Sequence, residues 1–210
     1  GLGSKIEKKN VSVYVDGVAN ASQPACAITK GDDTNKYGDN GVLTEVFYDD
    51  DAETVTITEI NTYIGSINKT VKATDKKDAY VVVATAVDNS NKPTAAQGTE
   101  EFETDEKFDD EAKVLYTYSE RDGVEEIKSV ELAKEVTGTV TKVKNDSKDE
   151  SNSGLTLAGT EYKAANIMAK SLLSAISVNL DYTAYIDAYC GAIFALPESA
   201  SLVTAVRFSD

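Results

Sequence analysis

Apolar and polar residues alternate along most of the chain, and β-branched and aromatic side chains fill the apolar positions. Val11, Val13 and Val15 are separated by Ser12 and Tyr14. The same rhythm returns in Thr54-Val55-Thr56-Ile57-Thr58, in Ala79-Tyr80-Val81-Val82-Val83 and in Val114-Leu115-Tyr116-Thr117-Tyr118. It is plainest from Val136 to Val143, V-T-G-T-V-T-K-V. A period of two places alternate side chains on opposite faces of a strand, and these residue types suit a pleated, half-buried surface. Turn signals separate the runs: Asp16-Gly17, Asn40-Gly41, Asp122-Gly123 and the polar stretch from Lys144 to Gly154. Many short strands punctuated by turns predict an all-β protein. One segment breaks the rhythm. From Asn166 to Ser177, Ile167, Met168, Leu172, Leu173 and Ile176 fall at helical spacing, with Asn166 placed to cap.

The pattern also repeats. Thr62 to Lys69, T-Y-I-G-S-I-N-K, matches Glu135 to Lys142, E-V-T-G-T-V-T-K, which makes Gly65 and Gly138 equivalent. A second strand follows each (Tyr80 to Val87, Leu155 to Ala158), then a Gly-Thr-Glu (Gly98-Thr99-Glu100, Gly159-Thr160-Glu161). Each copy closes with a hairpin, Val114–Tyr118 with Ile127–Val130 and Tyr182–Ile186 with Ile193–Leu196. The expected organisation is two tandem small β-modules, residues 61–132 and 133–210, the second holding the short helix and a C-terminal strand. Residues 1–60 supply N-terminal strands and a hairpin, Leu43–Phe47 with Thr54–Ile60, that reads as the end of a preceding module. Glycine within a long first strand permits a sharp bend. A helix or short link between the third and fourth strands is the order of an OB-like barrel, and a small sandwich gives nearly the same string.

Y-I-D-A-Y-C-G-A-I at Tyr185 to Ile193 resembles a hairpin that recurs in surface proteins of anaerobic Gram-positive bacteria carrying S-layer homology domains. Val136–Val143, G-T-E-Y-K at Gly159–Lys163 and G-V-L-T-E-V-F at Gly41–Phe47 resemble the middle β-repeat regions of the same family. Cys190 departs from the pattern beside the turn Gly191. The repeated helices of the wall-binding domain itself are not in this sequence. The resemblance implies an extracellular or cell-surface location, a spacer or display role, and partners among other surface-protein domains or cell-wall components. It carries over no catalytic residue. A signal peptide is expected in the parent protein outside this stretch, whose Gly1-Leu2-Gly3-Ser4 opening reads as a trimmed boundary.

Composition narrows the chemistry. The 210 residues carry 36 acidic against 21 basic side chains, a formal charge of −15. Nucleic acid and anionic membrane surfaces, which need Lys and Arg, are poor partners for such a chain. No apolar run is long enough for insertion into a membrane. Histidine is absent, which removes the usual general base and zinc ligand. With no nucleotide-binding or nucleophile motif either, neither enzymatic activity nor a cofactor is expected. Cys26 and Cys190 lie far apart and are expected to stay unpaired.

The acidic cluster Asp49-Asp50-Asp51 with Glu53 lacks the spacing of a calcium loop and reads as a solvated hairpin turn. Asp105-Glu106 with Asp109-Asp110-Glu111 reads as a charged loop or short helix face. Tyr116, Tyr118, Tyr182, Tyr185 and Tyr189 sit on predicted strands and could present a platform for a glycan or a partner, the alternative to a spacer being a carbohydrate-binding module. Cross-strand packing is the favoured use of these rings.

Overall fold

A computed structural model describes residues 10–20, 40–85, 98–148, 152–168, 171–187 and 192–195. The chain is all-β, with one short helix among the described residues. It opens with β1 (Val11–Val15), β2 (Val18–Ala19), β3 (Val42–Asp49) and β4 (Thr54–Asn61), which form a sheet in the order β2-β1-β4-β3. β1 runs parallel to β4, and β3 pairs antiparallel with β4 from Val42↔Asn61 to Asp49↔Thr54.

The first five-stranded unit contains β5 (Tyr63–Val71), β6 (Tyr80–Ala84), β7 (Thr99–Glu103), β8 (Lys113–Arg121) and β9 (Val124–Leu132), ordered β7-β6-β5-β8-β9. The second contains β10 (Lys134–Lys144), β11 (Gly154–Leu157), β12 (Thr160–Ala164), helix α1 (Ser171–Ala175), β13 (Asp181–Ile186) and β14 (Ala192–Ala195). Its order is β10-β11-β12-β14-β13, closed into a barrel. Taken position by position the two orders agree: the first strand lies between the second and the fourth. Closure differs. β12 and β14 share a short parallel ladder, Lys163↔Ala192 and Ala164↔Ile193. Their counterparts β7 and β9 approach each other without pairing, so the first unit curls but stays open.

The repeat extends to an irregularity. Pairing of β5 with β6 slips between Ile67 and Lys69, and pairing of β10 with β11 slips between Val140 and Lys142. Each slip follows the strand glycine at the same offset. A bulge inserts one residue, bends the strand and increases its twist, which lets one strand serve two sides of a barrel. The glycines are needed for close approach. A Cβ at Gly65 would lie 2.7 Å from the Ala84 carbonyl oxygen, and one at Gly138 would lie 2.7 Å from the Ala158 Cβ.

The helix is shorter than the apolar spacing of residues 166–177 predicts. The backbone N–H of Asn166 is spent on the Asn40 carbonyl, that of Ala165 on Ile193, and that of Met168 on Ala165. Residues 165–168 therefore tie β14 and the start of β3 together instead of opening a helix. α1 still occupies the interval between the third and fourth strands, as an OB-like order requires.

Alternation sets most of the core, but β5 and β8 also bury consecutive residues, Tyr63-Ile64 and Val114-Leu115-Tyr116. Ile64, Val81, Val83, Val114 and Tyr116 in the first unit and Val140, Leu157, Ala184, Ile193 and Phe194 in the second are all fully buried, in one continuous cluster. The first sheet has a separate and much smaller cluster, Val11, Val13, Val55 and Ile57.

Candidate functional site

The densest polar chemistry lies where the first sheet meets the first unit. Asp16 and Gly17 turn from β1 into β2 with φ of 50° and 88°, the left-handed pair of a type I′ hairpin. The turn is pressed against β8: the Asp16 carbonyl accepts from Glu120 N–H at 2.8 Å. The Asp16 side chain, only 4% exposed, faces β4 and β5. Its Oδ1 accepts from the Asn61 backbone N–H at 2.8 Å, and its Oδ2 accepts from Asn61 Nδ2 at 2.9 Å and from the Tyr63 hydroxyl at 2.6 Å. A buried carboxylate with three donors is satisfied and fixes geometry.

Behind it stands a cluster of rings. Tyr63 lies 5.8 Å from Tyr116 and 5.2 Å from Tyr118, centroid to centroid. The Tyr116 hydroxyl donates to the Thr85 carbonyl at 3.0 Å. Burial pushes all three phenols up: Tyr118 to about 12, with the Asp16 charge adding to it, and Tyr63 and Tyr116 further still. Burial, and then the Asp16 charge, also raises the Glu59 carboxyl above the usual range. At the junction of the two units, burial and the Asp187 charge do the same to Glu131.

The tyrosines singled out from sequence do not make a common face. Tyr116 and Tyr118 point into the first unit, Tyr182 points into the second, and all three are buried. Tyr182 spends its hydroxyl on the Ser177 N–H at 3.0 Å. Tyr185 is half-buried against the core, opposite Glu135. Tyr189, Cys26 and Cys190 lie outside the described residues. The acidic run Asp49–Glu53 is the turn of the β3–β4 hairpin, where Asp49 Oδ1 accepts from the Ala52 N–H at 2.9 Å. The second acidic run belongs to the link between β7 and β8, which Phe108 anchors by burial.

Two surface features had no signal in the sequence reading. A shallow surface depression on the second barrel gathers Lys142, Lys144 and Lys163 beside Tyr162, on neighbouring strands. The first sheet exposes Tyr14, Val18, Leu43, Val46, Phe47 and Tyr48. Among the described residues no group of acidic or cysteine side chains is arranged to hold a metal, and no helix is long and apolar enough to cross a membrane. No protein-family model, curated protein or solved structure matches the chain.

Proposed function

We propose that this chain is a non-catalytic structural module of a bacterial cell-surface protein, working as a spacer or interaction segment in an S-layer-like array. The supporting observation is how the units join. β4 passes into β5 through Thr62 alone, and β9 passes into β10 through Ala133 alone. Both joining residues are pinned, Thr62 N–H to the Gly41 carbonyl at 2.9 Å and Ala133 N–H to the Lys113 carbonyl at 3.0 Å. A catalytic two-domain protein commonly places a cleft or hinge between its parts, whereas the first of these junctions is filled by Asp16 and Tyr63, with Phe194 against the neighbouring Gly41. Acidity and the surface-protein resemblance of Tyr185–Ile193 favour display outside the cell.

Two measurements test this reading. Antibody against the chain should decorate intact source cells; label confined to the cell interior overturns the surface location. On a glycan array the chain should bind nothing, and a discrete set of bound sugars would replace the spacer reading with that of a carbohydrate-binding module.

A further inference from the structure

The first sheet matches the second half of a five-stranded unit. Its hairpin β3–β4 corresponds to β8–β9 and β13–β14, because in each case the later strand of an antiparallel pair is the unit's last. β4 runs through one residue into the first strand of the next unit, as β9 does. β1 lies parallel to β4, as β12 lies parallel to β14. β3 therefore holds the fourth position. In both complete units that strand carries the first strand antiparallel on its other edge: β5 on β8 from Tyr63↔Tyr116, and β10 on β13 from Lys134↔Ile186. Among the described residues β3 has no such neighbour.

The surface fits that vacancy. Val46 and Tyr48 lie on the same face as the buried Val55 and Ile57, yet they are 56% and 42% exposed. On the same strand Thr44 Oγ1 is buried without a hydrogen-bond partner among the described residues. An edge strand with open backbone groups and apolar side chains is a template for strand addition. From Val42 to Asn61 the chain carries Glu45, Asp49, Asp50, Asp51, Glu53 and Glu59 and no basic residue. In the complete units the stretch of the first strand that pairs with the fourth, Lys134–Thr139 in β10 and Tyr63–Ser66 in β5, carries only Lys134 and Glu135, so backbone pairing and apolar burial, not net charge, would hold an added strand.

We infer that the edge of β3 left unpaired among the described residues is a strand-acceptor site, filled in the assembled protein by the first strand of a further module of this kind. The added strand pairs antiparallel with β3, sets its apolar side chains over Val46 and Tyr48, and turns the open sheet toward a barrel. The assignment rests on the internal repeat and stands apart from where the protein resides.

The probe is a fluorescent synthetic peptide of the β10 sequence, K-E-V-T-G-T-V-T-K-V-K, titrated into the whole chain and followed by anisotropy. Saturable binding is expected, with a peptide of the same composition in scrambled order binding at least tenfold more weakly. Val46→Lys with Tyr48→Lys should abolish binding while the melting temperature and circular dichroism stay unchanged, because both side chains are already exposed. Val46→Lys alone should weaken binding and serves if the double variant folds poorly. Equal binding of native and scrambled peptides, or binding indifferent to either variant, overturns the site. Sedimentation showing concentration-dependent dimers that Val46→Lys disperses overturns the occupant, because the edge would then be taken by a second copy of β3.

Discussion

Replacing Asp16 by Asn isolates the chemistry of the first junction from its geometry. Asn accepts the left-handed φ of 50° at least as well as Asp, and Asn-Gly is a favoured type I′ pair, so the turn itself should persist. The change lies at Oδ2, which now accepts from Asn61 Nδ2 and the Tyr63 hydroxyl. An amide placed there presents an N–H to two donors, or presents one to the Asn61 backbone N–H if it flips. The Tyr63 hydroxyl can reverse and accept; the Asn61 amide must rotate away. A hydrogen bond to a charged acceptor contributes about 1.5–3 kcal/mol, so losing one and weakening another predicts a loss of roughly 2–3 kcal/mol. For a chain of this length that corresponds to a melting temperature lower by about 4–10 °C.

Tyr63→Phe removes one donor and keeps the ring against Tyr116 and Tyr118, for an expected loss of about 1.5–2 kcal/mol. The double variant should lose less than the sum, because both changes strike one bond. Urea unfolding followed by far-ultraviolet circular dichroism gives the energies. Hydrogen exchange should show faster loss of protection in β1, which depends on the junction. A strictly additive cycle, or an Asp16→Asn variant within about 0.5 kcal/mol of wild type, refutes the account of a buried, charge-assisted clamp.

Ala158 is the weak member of the four tight turns, standing at φ 48° before Gly159 where the others have Asp16, Asn40 or Asp122. Ala158→Asn should stabilise the chain by about 0.5–1 kcal/mol in thermal unfolding, since Asn tolerates this conformation better. Glu59 has a raised pKa in the fold, so the native state holds its proton where the unfolded chain has lost it, and stability falls as pH rises through that range. Glu59→Gln should therefore gain about 0.5 kcal/mol at pH 7 after solvent screening, with the gain vanishing near pH 4. At alkaline pH the sign is the same. Tyr118 ionises only near 12, and Tyr63 and Tyr116 later still, so native stability should fall above about pH 10, and in tyrosinate absorbance at 295 nm these three should titrate as the fold opens.

Local periodicity made the strands and their repetition legible. Gly65 aligned with Gly138, and the Gly-Thr-Glu segments mark the third strands, because each is a short stretch whose own chemistry fixes its shape. Alternation does not say which face is inward. For Tyr116 and Tyr118 packing is the favoured reading over an exposed platform, but the sequence alone does not decide it, and the curl of β5 and β8 around them does. The bulges at Ile67 and Val140 were invisible, since one inserted residue among Ser, Thr and Lys leaves no compositional mark. The Asp16 clamp was hidden for another reason. As half of Asp-Gly it reads as a turn, and the hydroxyl it binds is 47 positions away. Apolar spacing over residues 166–177 overstated the helix, because residues 165–168 are held in a turn by tertiary contacts with β14 and Asn40 that outweigh propensity.

The joints explain why the exposed apolar edge belongs to the first sheet. The last strand of one unit runs into the first strand of the next through a single residue, Thr62 or Ala133, and among the described residues the three sheets share no ladder, so neighbouring units meet through side chains and turns. Stability in tandem units is a sum of unit and interface contributions, so an unpaired edge costs most in the unit with the smallest core of its own. The second barrel closes on itself through Lys163↔Ala192 and needs no neighbour for that. The first unit leaves β7 and β9 unpaired but covers its interior with Phe102 and Phe108. The first sheet has neither device. Its four buried core residues are too few to hold a separate sheet, and the Asp16 clamp and the Gly41–Phe194 contact hold it to the rest from one side only. The other side carries Val46 and Tyr48 over the same face as Val55 and Ile57, so a strand paired there would bury exposed apolar surface and extend the smallest core in the chain's described residues.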